Sequence, residues 1–184
     1  MKVSSNSKFV WRSAHAFRVL LAVACLTCTG ASARDVTTSI DFGENQIEVP
    51  PAGFDPLQGR WAVVGDATAT AGLAIEQSGV QTADGRYRLA ISKTASIRNG
   101  EISLRLKADE GKSDRGGGIA VRLSNPQNYY LVQLDALRDR VLFSRVSDGA
   151  FVEIVGVDAD IASRSWHTLT VRAVDDEFTV APLP

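Results

Sequence analysis

The sequence predicts an all-β protein, an antiparallel two-sheet sandwich of jelly-roll type. Three observations predict it. Apolar and polar residues alternate with period two through many short segments. Turn-forming residues separate these segments at intervals of about ten residues. No stretch sustains the 3.6-residue period of a helix, and even residues 97–107 fit period two better. Short, evenly spaced strands of this kind belong to sandwiches and barrels.

Residues 36–42 (VTTSIDF) alternate and give a first strand, broken by Pro50, Pro51 and Gly53. Residues 59–65 (GRWAVVG) give a second, with glycine at both ends, and residues 71–77 a third. Asp84-Gly85 is a hairpin signal, and residues 86–92 (RYRLAIS) follow it as a fourth strand. In residues 101–108, Ile102, Leu104 and Leu106 face one way and Ser103, Arg105 and Lys107 the other. A polar, glycine-rich stretch follows at 109–118. Residues 116–146 then form a meander that frames the rest: Ile119, Val121 and Leu123, then Tyr130, Val132 and Leu134, then Val141 and Phe143 build one apolar face. Residues 124–128 and 136–139 supply its turns. Residues 151–157, 166–173 and 178–181 complete the set. There is no internal repeat.

The first 33 residues read as a leader. Lys2, Lys8, Arg12 and Arg18 make it basic, residues 19–28 form an apolar core too short to span a bilayer, and Ala31-Ser32-Ala33 is a small-x-small cleavage signal. The alternative is an uncleaved anchor. Ala22-Val23-Ala24 before Cys25 argues against a lipoprotein. Four of the 20 basic side chains and none of the 21 acidic ones leave with it, so the remaining 151 residues (34–184) carry 16 basic groups and a formal charge of −5. Cys25 and Cys28 leave too. An exported, periplasmic or extracellular domain without cysteine relies on its core rather than on disulfides or thiolate metal sites. A domain of that size buries about 70% of its unfolded surface, enough for one core. The mild acidity excludes nucleic acid and anionic membrane surfaces as partners. Oligomeric state stays open.

Four stretches, in this order and spacing, carry a family likeness: Gly59-Arg60-Trp61; Gly117-Gly118-Ile119-Ala120-Val121-Arg122; Asn128-Tyr129-Tyr130-Leu131-Val132 with Leu134-Asp135-Ala136; and Trp166-His167-Thr168-Leu169. Over residues 41–178 the chain resembles the concanavalin A-like lectin/glucanase sandwiches, which include laminin-G-like domains. More narrowly it resembles the 3-keto-disaccharide hydrolase-like domains, also described as family 16 glycoside hydrolase-like. That resemblance implies a carbohydrate partner and, in the narrower family, glycoside hydrolysis. Such domains continue past this point with an Asn-Gly turn and further strands, whereas this sequence stops at Pro184, so either a truncated product or a different closure of its sheets is expected.

The resemblance also implies a catalytic E-x-D-x-x-E strand, but residues 133–138 read QLDALR and keep only Asp135. Retaining glycosidases need two carboxyl groups about 5.5 Å apart. Asp135 and Asp139 would be about 13 Å apart on a straight strand. The ordinary two-carboxylate mechanism is therefore rejected. A 3-keto sugar offers another route, because the ketone acidifies the neighbouring carbon and one base can then eliminate the glycosidic bond. Asp135 and His167 are the candidate catalytic residues; at a strand start after Trp166, a packed or surface histidine is the commoner reading of His167.

The substrate-binding candidates are Arg122, Asn128, Tyr129, Gln133 and Arg145. Tyrosine stacks on sugar rings, and arginine, asparagine and glutamine bond hydroxyls. The plain alternative is a solvated sheet face, with Arg122 paired across strands to Asp135, and with Asn128 starting a strand after its turn. No metal or cofactor is expected; a weak calcium option rests on Asp109, Glu110 and Asp114, against a solvated acidic loop. Gly111-Lys112-Ser113 fails as a phosphate loop, since Leu106 stands where glycine is required and no helix follows. Trp61 and Trp166 read as core anchors before sugar platforms. Three functions compete: an exported hydrolase of 3-keto or ordinary glycosides, a non-catalytic carbohydrate-binding module, and an inactive relative.

Overall fold

The computed structural model describes residues 9–12, 37–57, 59–79, 88–112 and 114–181. Within them the protein is all-β, with antiparallel pairing throughout. The strands are β1 (Phe9–Arg12), β2 (Phe54–Pro56), β3 (Arg60–Gly65), β4 (Leu73–Ser78), β5 (Ala90–Ser92), β6 (Gly100–Lys107), β7 (Gly116–Asn125), β8 (Asn128–Asp135), β9 (Arg140–Ser147), β10 (Ala150–Asp158), β11 (Trp166–Val174) and β12 (Glu177–Ala181). The described residues fall into two compact units, one containing β1 and residues 95–181, the other residues 37–94. The expected leader, the Val36 end of the first strand and the Asp84-Gly85 turn lie outside the described residues, apart from β1, which pairs with β12.

The larger unit is a sandwich of two four-stranded sheets, in the orders β1-β12-β11-β6 and β10-β9-β8-β7. The expected apolar face of the meander is its core. Ile119, Val121, Val132, Leu134 and Phe143 come from the second sheet, and Leu169 and Val171 from the first, with Ile161 filling from a loop. Tyr130, Phe143 and Phe178 close one end of this core, with ring centroids 5.1–5.7 Å apart. Gly116 and Gly118 are required where β7 meets β8: a Cβ would overlap the carbonyl oxygens of Leu134 and Val132 respectively. Asp148 and Gly149, both at positive φ (51° and 78°), make the two-residue turn between β9 and β10.

The smaller unit holds two hairpin-like pairs, β2 with β5 and β3 with β4. Val63 is its buried anchor, and residues 48–49 bond to its backbone. Two expectations are corrected here. Residues 37–42 form no strand, because no strand among the described residues pairs with them, and Ile40 is exposed. Of the expected fourth strand, residues 88–92 are described; Ala90–Ser92 form β5, and its partner β2 was not foreseen.

A larger correction concerns the expected wet face of the meander. Tyr129, Gln133 and Asp135 on β8 are buried, at 4%, 7% and 1% exposure. β8 is an inner strand with a neighbour on each edge. Leu131, Leu142 and Val146 share that face and are buried as well.

Candidate functional site

The strand order sorts the candidate residues to opposite ends of the larger sandwich. The hairpins β7–β8, β9–β10 and β11–β12 all turn at one end. The turns β8–β9 and the loop before β11 lie at the other.

At the first end, β7 carries a bulge after Val121. Arg122 sits in it with φ +54°, a left-handed conformation that a non-glycine residue rarely adopts inside a strand. Asp135 lies opposite Gly116, at the far end of the strand pair, so the expected cross-strand pair does not form. Instead Arg122 Nη2 donates to the Asp175 carbonyl at 2.8 Å and to Asn99 Oδ1 at 3.3 Å. Asn99 in turn donates from Nδ2 to Asp175 Oδ1 at 3.1 Å and accepts from the Asp175 N–H at 3.0 Å.

Asn128 ties two hairpin turns of the same end together. Its Oδ1 accepts from the Asp148 N–H at 3.2 Å, and its Nδ2 donates to Asn125 Oδ1 at 3.2 Å and Asp148 Oδ1 at 3.4 Å. Arg145, opposite Tyr130 on the neighbouring strand, is exposed here too. The structure thus places at one end two hydrogen-bonded groups, Arg122 with Asn99 and Asp175, and Asn128 with Asn125 and Asp148, and the exposed Arg145. Sequence reasoning missed Asn99, Asn125, Asp148 and Asp175. Each reads locally as ordinary turn chemistry, and only strand pairing brings Asn99 and Asp175 together across 76 positions. Amides, carboxylates and guanidinium groups at a loop-built rim both donate to and accept from hydroxyls.

At the other end the two candidate bases are committed to the fold. The Asp135 Oδ1 accepts from the backbone N–H groups of Leu137 (3.0 Å) and Arg138 (3.2 Å), and Oδ2 accepts from Arg138 Nη1 at 2.6 Å. It holds the β8–β9 turn shut. His167 is buried opposite Leu106, and its Nε2 donates to the Ala162 carbonyl at 2.9 Å. Asp135 is seven residue steps along β8 from Asn128, about 24 Å of strand.

The remaining candidates separate as well. Gln133 is buried with Oε1 lacking a partner, as is Ser144 Oγ on the next strand. Burial pushes the Tyr129 phenol above its ordinary range. Asp109 lies 3.8 Å from Arg164, and no group of three metal-ligating side chains converges among the described residues. Trp61 and Trp166 are half-buried, and Trp166 is not part of the core cluster of the larger unit. No described helix is long and apolar enough to cross a membrane.

No family model matches the chain, and no curated protein matches it. Among solved structures, the carbohydrate-binding module CBM66 from Bacillus subtilis superposes with a TM-score of 0.56 at 21% identity, over 71% of this chain and 76% of that one. The two share a fold. The chain is a β-sandwich of that kind, as its alternation predicts.

Proposed function

We propose that this chain is a non-catalytic carbohydrate-binding module that takes sugar at the loop end holding Asn99, Arg122, Asn128, Arg145, Asp148 and Asp175. One observation carries the reading: hydroxyl-bonding groups lie exposed at this end, while Asp135 and His167 lie buried at the opposite end, Asp135 with both carboxylate oxygens bonded and His167 with Nε2 bonded. The fold shared with a module named for carbohydrate binding supports it. The reading goes with an exported protein released from its leader after Ala33, which would take β1 with it and leave a three-stranded sheet with β12 at its edge. The finer likeness to 3-keto-disaccharide hydrolases supplies the competing outcome.

The test joins binding and turnover. Glycan arrays followed by titration calorimetry should find saturable sugar binding that Arg122→Ala weakens by tenfold or more. Incubation with 3-keto-glycosides should release no sugar. Release that Asp135→Asn abolishes would overturn the proposal and restore the hydrolase.

A further inference from the structure

We infer that the β12 edge opened by leader release is a docking slot for one extended strand of another polypeptide, with apolar residues at alternate positions. The inference rests on the release proposed above. The structure itself seats a strand there: Phe9–Arg12 pairs antiparallel with β12, Phe9 opposite Val180 and Trp11 opposite Phe178.

Strand order shapes the slot. Beyond β9 in one sheet lies β10, and beyond β12 in the other lies β1. Phe178 of β12 packs on Tyr130 of β8 and Phe143 of β9, with ring centroids 5.3 Å and 5.1 Å away. β10 therefore runs on past β12, and β1 is the strand of the first sheet on that side. Without β1, three strands of one sheet face four of the other. Val152 is opposite Arg145, itself opposite Tyr130, and Val155 is opposite Phe143, so both valines lie on the inward face of β10. Val155, Phe178 and Val180 pack against the core, while Val152 is 56% exposed. The slot is thus apolar on two sides, β12 beside it and β10 beneath.

The outer edge of a strand presents N–H and C=O groups that another strand can pair. Edges are commonly guarded by charged side chains, and β6, at the opposite edge of the same sheet, carries Glu101, Arg105 and Lys107. β12 carries one charged residue, Glu177, at its first position. Main-chain bonds along this edge supply affinity, and the apolar walls select side chains at alternate positions. The space left beside β12 is one strand wide, about 4.8 Å. A second copy paired β12 to β12 is excluded. The two-fold axis of such a pair stands perpendicular to the shared sheet, so the partner's second sheet would occupy the space of β10.

The experiment uses the chain expressed with its leader and recovered after export. Its mass is read first, and loss of residues 1–33 is expected. The probe is a synthetic peptide of residues 7–13 (SKFVWRS), titrated by calorimetry. Saturable binding of one peptide per chain is expected. In the peptide, Phe9→Asp and Trp11→Asp, at the positions opposite Val180 and Phe178, should each weaken binding about tenfold or more, because each buries a charge. Val10→Asp, opposite Thr179, should change it less than about twofold. A retained leader, visible in the mass alone, would overturn both release and the slot. With the leader gone, the slot alone is overturned by any of three results: no saturable binding, equal losses at all three peptide positions, or a dimer of the peptide-free protein by sedimentation.

Discussion

Replacing Asp135 separates a turn-former from a catalytic base. Its carboxylate is 1% exposed as a residue and receives three hydrogen bonds, two from backbone N–H groups of the β8–β9 turn. A hydrogen bond to a charged group contributes about 1.5–3 kcal/mol net. Here both donors lie on exposed turn residues that water can rescue, so the low end applies to each. The Arg138 pair adds less than about 1 kcal/mol, because that guanidinium is 62% exposed. Asp135→Ala should therefore cost about 3 kcal/mol. Asp135→Asn keeps Oδ1 and both backbone bonds, and loses only the arginine pair, about 1 kcal/mol. For a chain of this length each kcal/mol moves Tm by about 2–4 °C. Calorimetry should show a fall of about 6–12 °C for alanine and about 2–4 °C for asparagine. Sugar binding measured well below Tm should be the same in all three proteins. Equal Tm values for the two variants would refute the turn assignment.

Two further outcomes follow from burial. Because burial raises the Tyr129 phenol, the unfolded chain loses this proton first as pH climbs through about 10. The unfolded state then binds fewer protons, so stability is full below that pH and declines above it; denaturant melts should show a shallower alkaline decline in Tyr129→Phe. Leu134 is fully buried in the core cluster, and Leu134→Ala should cost about 2–5 kcal/mol by urea unfolding with an unchanged m value.

The core of the larger sandwich was legible because alternation reports which side chains avoid water. Ile119, Val121, Val132, Leu134 and Phe143 fall in the predicted column. Alternation does not report what covers the opposite column, and so Tyr129, Gln133 and Asp135 were read as wet when they are buried. Nor does it guarantee a partner: residues 37–42 alternate and pair with no strand among the described residues, while β2, three residues ending in Pro56, pairs although it is too short to show a period. Within the candidate site, Arg122, Asn128 and Arg145 were named for their chemistry. The grouping of Arg122 with Asn99 and Asp175 depends on sheet order and on a bulge, neither of which leaves a local mark in the sequence.

Arg122 itself tests whether that grouping exists for the fold or for a ligand. A left-handed non-glycine residue costs about 1–2 kcal/mol, and such strain persists where the surroundings impose it, often at functional sites. Two hydrogen bonds from a half-exposed guanidinium return about 0.5–1.5 kcal/mol each. The two contributions nearly cancel, so Arg122→Gly, which removes the strain and the bonds together, should leave Tm within about 3 °C of the parent. If the fold gains nothing from arginine here, its use lies in what the guanidinium presents at the rim. Sugar affinity should then fall tenfold or more in the same variant. A large loss of Tm would instead make Arg122 a clasp between β7 and the β11–β12 turn, and the loop end would lose its strongest claim to be a binding site.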